Sequence, residues 1–253
     1  MLTFFRHFRK SLLSSGQAQR YLLYAIGEIA LVVIGILIAL QVNNWNEERK
    51  DHTIQKKYLL SFLSDLRRDS IILHHSIKDV KSLQDGYTNY VFTMYKTQAS
   101  TEEFVDLISS QTWPANAFIL NDNTYSEMTS SGNLNLIHND LLKQSIIEYY
   151  KEYQVAASSI EQMNRSGLDI FLQVYPLLAK YFKGSFFDNS IVVKYEEDWQ
   201  FINNPRSKSF KILEASASHY SFKSSVQEGF YTDLLQKAKN IMMLIKGELG
   251  ESE

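Results

Sequence analysis

A long apolar stretch near the N-terminus is the feature that most limits what this chain can fold into. Residues 29–40 form an unbroken apolar run, and the wider stretch Tyr21–Val42 is interrupted by a single acid, Glu28. As a helix, the wider stretch is about 33 Å long, which matches a bilayer hydrocarbon core of about 30 Å. Tyr21 and Trp45 flank it and suit the two membrane–water interfaces. We therefore predict a transmembrane helix at residues 21–42.

Two other interpretations of this stretch are open. It would fit the buried helix of a soluble core, but the rest of the chain is too polar to surround a helix that is apolar on every side. It would also fit a cleaved signal peptide, but the residues after it are Gln41-Val-Asn-Asn-Trp-Asn46, with no small-x-small cleavage site. An uncleaved anchor is favoured over both.

The basic residues near the span bear on its orientation. Arg6, Arg9, Lys10 and Arg20 precede it without any acid, whereas residues 43–57 carry four bases mixed with acids. Counted as bases alone the two sides tie, so the short acid-free tail decides. We expect an inner-membrane protein with a cytoplasmic N-terminus and a periplasmic C-terminal part. Residues 1–20 are expected to form a basic amphipathic segment on the lipid surface, too small a basic patch for nucleic acid.

Glu28 lies about 10 Å inside one end of the predicted span. Glu28, Leu31, Gly35 and Ala39 share one side of the helix, and Gly35-x-x-x-Ala39 is a small-x-x-x-small pair that permits close helix approach. This face is predicted to mediate self-association. The alternative is that Glu28 only reaches toward the nearer headgroups.

The N-terminal motifs resemble a known family. Phe4-Phe5-Arg6-x-x-Arg9, Tyr21-Leu-x-Tyr24-Ala-Ile-Gly-Glu28 and Leu31-Val-Val-Ile-Gly35, followed by Asn43-Asn-Trp45-Asn-Glu47, resemble the opening of a bacterial family of unknown function. A looser similarity covers Ser130-Ser-Gly-Asn-Leu-Asn-Leu-Ile137. The resemblance implies a single-span membrane protein with a helical extramembrane part, and it implies no activity.

Beyond the span, the sequence predicts an all-α fold. The chain has only ten Gly and three Pro, and apolar residues recur at alternating steps of four and three, as in a coiled coil. One such seam runs from Leu59 to Met94, a second from Leu142 to Val174, and a third from Phe210 to Ile245. Three amphipathic helices bury their seams best against each other, so residues 43–250 are predicted to form an antiparallel helical bundle.

Several local signals predict where these helices stop. A capping box at Ser100–Glu103 predicts a short helix, and Asn123 and Gly132 predict the two ends of another. Bends or ends are expected at Asp85-Gly86, near Pro176, at Gly229 and at Gly247, with an N-terminal cap at Asn204. Residues 190–195 have the composition of a short strand or a covering loop.

The sequence shows no pattern that indicates chemistry. It has no Cys, and the HExxH, P-loop, G-x-G-x-x-G and G-x-S-x-G motifs are all missing. His75 and Asp79 are four residues apart but fall short of a zinc ligand set. We therefore expect no metal, no cofactor and no catalytic residue, unless His138, Asp140 and Glu127 converge in one cleft. The leading hypothesis is a non-enzymatic interaction or scaffold module with an unknown protein partner.

The many tyrosines and phenylalanines leave a second hypothesis open. Tyr149, Tyr150 and Tyr153 lie along one predicted helix at core spacing, which usually indicates packing. The alternative is a small-molecule sensor with an aromatic pocket between helices.

Overall fold

The computed structural model describes residues 17–96, 117–178 and 201–250, and every regular element in these ranges is helical. The four α-helices are α1 (Gln17–Met94), α2 (Asn123–Ser130), α3 (Asp140–Leu178) and α4 (Lys208–Leu249). A 3-10 helix, Asn133–Leu136, follows α2. The all-α prediction is confirmed for these residues. The predicted helix at Ser100–Glu103 and the predicted strand at 190–195 lie outside them.

The chain divides into two units, Met1–Lys57 and Tyr58–Glu253. In the first unit the described residues belong to α1, and the large apolar side chains described from Leu22 to Val42 are exposed. In the second unit, α1 from Tyr58 onward, α2, α3 and α4 surround two clusters of buried side chains. The predicted domain boundaries at residues 20/21 and 42/43 stay predictions.

The three predicted seams form the core of the second unit. The first core cluster includes Leu59–Val80 of α1, Leu142–Ile160 of α3 and Tyr231–Ile245 of α4. The second includes Tyr87–Met94 of α1, Val174 of α3 and Phe210–Tyr220 of α4. Each buried Leu, Ile or Phe stabilises the fold by about 1.5–3 kcal/mol. Along the chain, α1 and α3 pass from the first cluster to the second, whereas α4 passes from the second to the first.

Contacts between α3 and α4 pair the start of α3 with the end of α4, and later residues of α3 with earlier residues of α4. Asn139 Nδ2, just before α3, donates to Glu248, and Lys237 pairs with Glu152 at 2.6 Å. Further along α3, Tyr220 Oη of α4 donates to the Gly167 carbonyl at 3.1 Å. Gly167 permits this close approach, since a Cβ there would lie 3.0 Å from the Tyr220 hydroxyl oxygen.

The two long helices α1 and α4 stay helical at the predicted glycine interruptions. α1 continues through Asp85-Gly86, where the seam resumes with buried Tyr87 and Tyr90, and the predicted bend there stays a prediction. α4 continues through Gly229, since buried Ser224 and Gln227 occupy the four–three positions between Tyr220 and Tyr231. Because Ser224 and Gln227 are polar, the apolar repeat in the sequence is interrupted between Tyr220 and Tyr231.

The helix ends differ slightly from their predictions. α3 runs through Pro176 to Leu178. At the start of α4 the cap is Ser207, whose hydroxyl accepts from the Phe210 amide at 3.1 Å, rather than Asn204. α4 ends beyond Gly247, at Leu249, and its cap is Gly250, whose φ of 71° is the left-handed conformation that favours glycine. Gly132, with φ 74°, follows α2 as predicted.

Candidate functional site

The predicted membrane residues lie on the first part of α1. Among the described residues, one helix contains an apolar window long enough to cross a membrane, with mean hydropathy 2.5 and none of the window buried. Trp45, at the predicted far interface, is exposed. Arg6, Arg9 and Lys10 lie outside the described residues. Arg20 and Tyr21 lie in the first turns of α1, and their contact with lipid stays a prediction.

The predicted contact face is an exposed side of α1. Glu28, Leu31, Gly35 and Ala39 fall within an arc of about 80° at 100° per residue. A Cβ added to Gly35 would meet no atom within 4 Å, so no described part of the chain covers this face at Gly35. The face is therefore accessible to another helix, as self-association requires.

The polar groups considered for catalysis have separate partners. Glu127 accepts a hydrogen bond from Tyr58 at 3.0 Å, and Asp140 pairs with Lys143 at 2.9 Å within the first turn of α3. His138 is exposed between the 3-10 helix and α3. Within the described ranges, no three His, Asp or Glu side chains are grouped closely enough to hold a metal ion.

A concentrated polar cluster among the described residues of the second unit is centred on Asp69 of α1, which is fully buried. One carboxylate oxygen accepts from the backbone amide and the side-chain amide of Asn121, at 2.9 and 2.8 Å. The other accepts from the Tyr149 hydroxyl of α3 at 3.1 Å. One turn earlier on α1, buried Asp65 accepts from Thr124 on one oxygen and from Arg68 at 2.6 Å on the other. We call these residues, together with Tyr150 and Tyr153, the Asp69 network.

The Asp69 network satisfies a backbone segment that has no helical partners. Residues 117–122 lack regular structure, and a buried amide or carbonyl must find a partner elsewhere. The Leu120 amide donates to the Tyr153 hydroxyl at 3.2 Å, and the Asn121 carbonyl accepts from the Tyr150 hydroxyl at 3.1 Å. Side chains of α1 and α3 thus replace the hydrogen bonds that a strand ladder would supply.

Burial controls ionisation in this network. Desolvation raises the pKa of Asp69 above its ordinary value, and the neighbouring charge of Asp65 adds to this, while the hydrogen bonds from Asn121 and Tyr149 oppose it. Burial also raises the pKa of Tyr149 and of Tyr150, and the carboxylate of Asp69 acts in the same direction. Both phenols therefore stay protonated and remain donors at physiological pH.

A second buried polar group lies in α4. The Lys223 ammonium is 5.6 Å from the centre of the Tyr220 ring, a cation–π geometry, and the residue is almost fully buried. Burial lowers the pKa of Lys223 to about 8. Tyr220 itself stacks on Tyr87 of α1, with ring centres 5.3 Å apart.

Asp65, Asp69 and Lys223 are absent from the residues predicted to be functional. Acids four residues apart on a helix usually face solvent, so this spacing alone does not distinguish a buried pair. Their positions beside the apolar seam were the one indication in the sequence. Asp65 directly precedes seam residue Leu66, and Asp69 directly precedes Ser70, a polar residue at the next seam position. The Ser224 and Gln227 positions gave a similar signal for α4.

The aromatic residues divide between core and groove. Tyr149 and Tyr150 are buried in the first core cluster, which is the packing interpretation of their spacing. Phe118 and Tyr153, whose ring centres are 5.6 Å apart, border an open groove of about 650 Å³ on the side of α3. Its other lining residues include Ala157, Glu161, Asn164, Arg165 and Leu168.

Comparison with known proteins assigns a family. The model of a family of unknown function, DUF6090, matches residues 28–166, which is more than half of the chain, so the chain belongs to this family. The match begins at Glu28 and includes both sides of the Asp69 network. No curated protein and no solved structure matches the chain.

Proposed function

We propose that this DUF6090 member is a bacterial single-span inner-membrane protein that presents a helical interaction or scaffold module. One observation carries the proposal: every described large apolar side chain between Leu22 and Val42 is exposed. An apolar surface of this length is not stable in water, so it needs lipid around it. The N-terminus is cytoplasmic and the second unit is periplasmic in this proposal.

The second unit is proposed to be a three-helix bundle in which α4 runs antiparallel to both α1 and α3. The opposite order in which α4 crosses the two core clusters supports this arrangement. α1 and α3 then run in the same direction, which requires the long connection through α2. This topology departs from a bundle with every neighbour antiparallel.

A non-enzymatic role is proposed because the polar groups around Asp69 serve the fold. Asp69 and Tyr149 are buried and hydrogen-bonded to each other, and their exposure to a substrate would require the core to open. Photo-cross-linking from exposed positions on α3 and α4 in cells, followed by mass spectrometry, tests the interaction role. Reproducible cross-links from one face to one protein support it, and cross-links scattered over all faces contradict it.

Self-association through the Glu28 face is part of the proposal. Replacing Gly35 and Ala39 by Ile widens the helix where it would approach a partner. We expect the double variant to lose energy transfer between donor- and acceptor-labelled chains in micelles. Ala30→Ile makes the same kind of change on the opposite face and should retain it. Equal transfer in the double variant would exclude this face.

The open groove beside Phe118 and Tyr153 favours a second candidate function, small-molecule sensing. Its volume of about 650 Å³ is within the range of ligand sites. Screening metabolite mixtures by thermal shift on the wild type and on Ala157→Trp, which fills the groove, tests this candidate. A stabilising compound that loses its effect in the variant would support sensing.

A further inference from the structure

We propose that residues 117–136 form a proton-sensitive latch, which opens from α1 as one unit and is held less tightly when buried Asp69 ionises. The latch comprises the irregular segment 117–122, α2 and the 3-10 helix. This inference is independent of the proposed interaction partner, since it concerns motion within the second unit.

Three polar residues on one stripe of α1 hold the latch along its length, while Tyr150 and Tyr153 of α3 bind its residues 120 and 121. Tyr58, Asp65 and Asp69 lie within an arc of about 40°, at 100° per residue. Tyr58 donates to Glu127 and accepts from Asn133 at 3.1 Å. Asp65 accepts from Thr124, and Asp69 accepts twice from Asn121.

These contacts occur in opposite sequence order along α1 and along the latch. As α1 advances from Tyr58 to Asp69, its partners in the latch retreat from Asn133 to Asn121. The latch therefore lies lengthwise on α1, with Met128 and Phe62 both fully buried. Breaking the Asp69 end removes both bonds that Asn121 donates to one carboxylate, which favours release of the segment as a unit.

The charge arrangement makes Asp69 the proton-sensitive group. Asp65 and Asp69 are two carboxylates one turn apart in a buried site, where simultaneous ionisation is costly. Arg68 pairs with Asp65, whereas the partners that the structure describes for Asp69 are neutral amides and a phenol. The other titratable groups of the surrounding elements are Asp122 and Tyr125 at α2, and Tyr149, Tyr150 and Tyr153 on α3.

The direction of the pH dependence of latch opening follows from proton linkage. The closed latch buries Asp69, which raises its pKa, and the open latch returns it toward the ordinary value of 3.8. The closed state therefore binds the proton more tightly, and raising the pH from 3.8 toward the pKa of the closed state favours opening. In that interval the opening constant rises by up to about tenfold per pH unit.

Thiol labelling of the full-length protein in micelles tests this proposal, because the chain has no cysteine of its own. Met128→Cys reports opening of the latch, and Ala238→Cys, equally buried in α4, reports opening of the core. We expect Met128→Cys to be labelled faster, and the ratio of the two rates to rise with pH. The pH dependence of thiol reactivity itself is common to both variants, so it cancels in this ratio. Adding Asp69→Asn should make the ratio independent of pH.

Equal labelling rates at the two positions would overturn the latch, since opening would then be global. A pH-independent ratio, or the same slope with Asp69→Asn, would overturn its proton sensitivity. Amide hydrogen exchange at Asn121 provides a second measurement without cysteine variants, should Met128→Cys fail to fold. There, protection corrected for intrinsic exchange should fall with rising pH in the wild type and stay constant in Asp69→Asn.

Discussion

Replacing Asp69 by Ala tests the role of the buried carboxylate most directly. The change removes the acceptor of three hydrogen bonds, two from Asn121 and one from Tyr149. A bond to a charged acceptor contributes about 1.5–3 kcal/mol, but the cost of burying the carboxylate offsets part of the sum. We expect Asp69→Ala to lower the free energy of unfolding by about 3 kcal/mol. For a unit of this size, that lowers the Tm by about 6–12 °C.

Asp69→Asn is the matched variant. Its side-chain oxygen can still accept from Asn121, and its amide can donate to the Tyr149 hydroxyl oxygen, so we expect a loss of less than about 1 kcal/mol. Asp79→Ala, at an exposed position of the same helix, is the control and should change stability by less than about 0.5 kcal/mol. Thermal circular dichroism in the far ultraviolet on the full chain in micelles measures all three. If Asp69→Ala melts like Asp79→Ala, or Asp69→Asn is as damaging as Asp69→Ala, the acceptor argument is wrong.

Further predictions concern the contacts of α4. Gly167→Ala should lower the free energy of unfolding by less than about 1 kcal/mol, because pressing its Cβ on the Tyr220 hydroxyl costs about 1–2 kcal/mol and the helix propensity of alanine returns about 1 kcal/mol. Tyr220→Phe should rescue this loss, which a double-mutant cycle measures. The pKa of Lys223 is about 8 in the folded protein against an ordinary value of 10.5, so wild-type stability should rise with pH between these values. Lys223→Met should abolish this rise, and an unchanged pH profile would show that the lysine is not desolvated.

The long helices were predictable because their seams repeat over many turns. Leu59, Leu142 and Leu234 follow an apolar period that few other structures would satisfy, and all three are buried. The helix breaks were less predictable. Gly229 costs about 1 kcal/mol within a helix, and the packing of buried residues before and after it outweighs this cost, so α4 is not divided there.

The polar interior was indicated by the sequence only weakly, through the positions of Asp65 and Asp69 beside the apolar seam. Whether Asp69 faces water or a neighbour depends on where residues 117–124 pass, and an irregular segment carries no periodicity that would fix its path. Lys223 has the same difficulty, since its burial depends on helices distant in sequence. The resemblance of the N-terminal motifs, in contrast, correctly indicated a family of unknown function.

Retention in the membrane after an alkaline carbonate wash tests whether residues 21–42 span a bilayer. The full chain should stay in the membrane pellet, because residues 21–42 would have to leave the bilayer to be extracted. Val33→Arg with Ile34→Arg places two charges at the centre of the span, each costing about 2.5–3.5 kcal/mol on insertion scales, and should move the protein to the soluble fraction. Recovery of the wild-type chain in the soluble fraction would contradict the account.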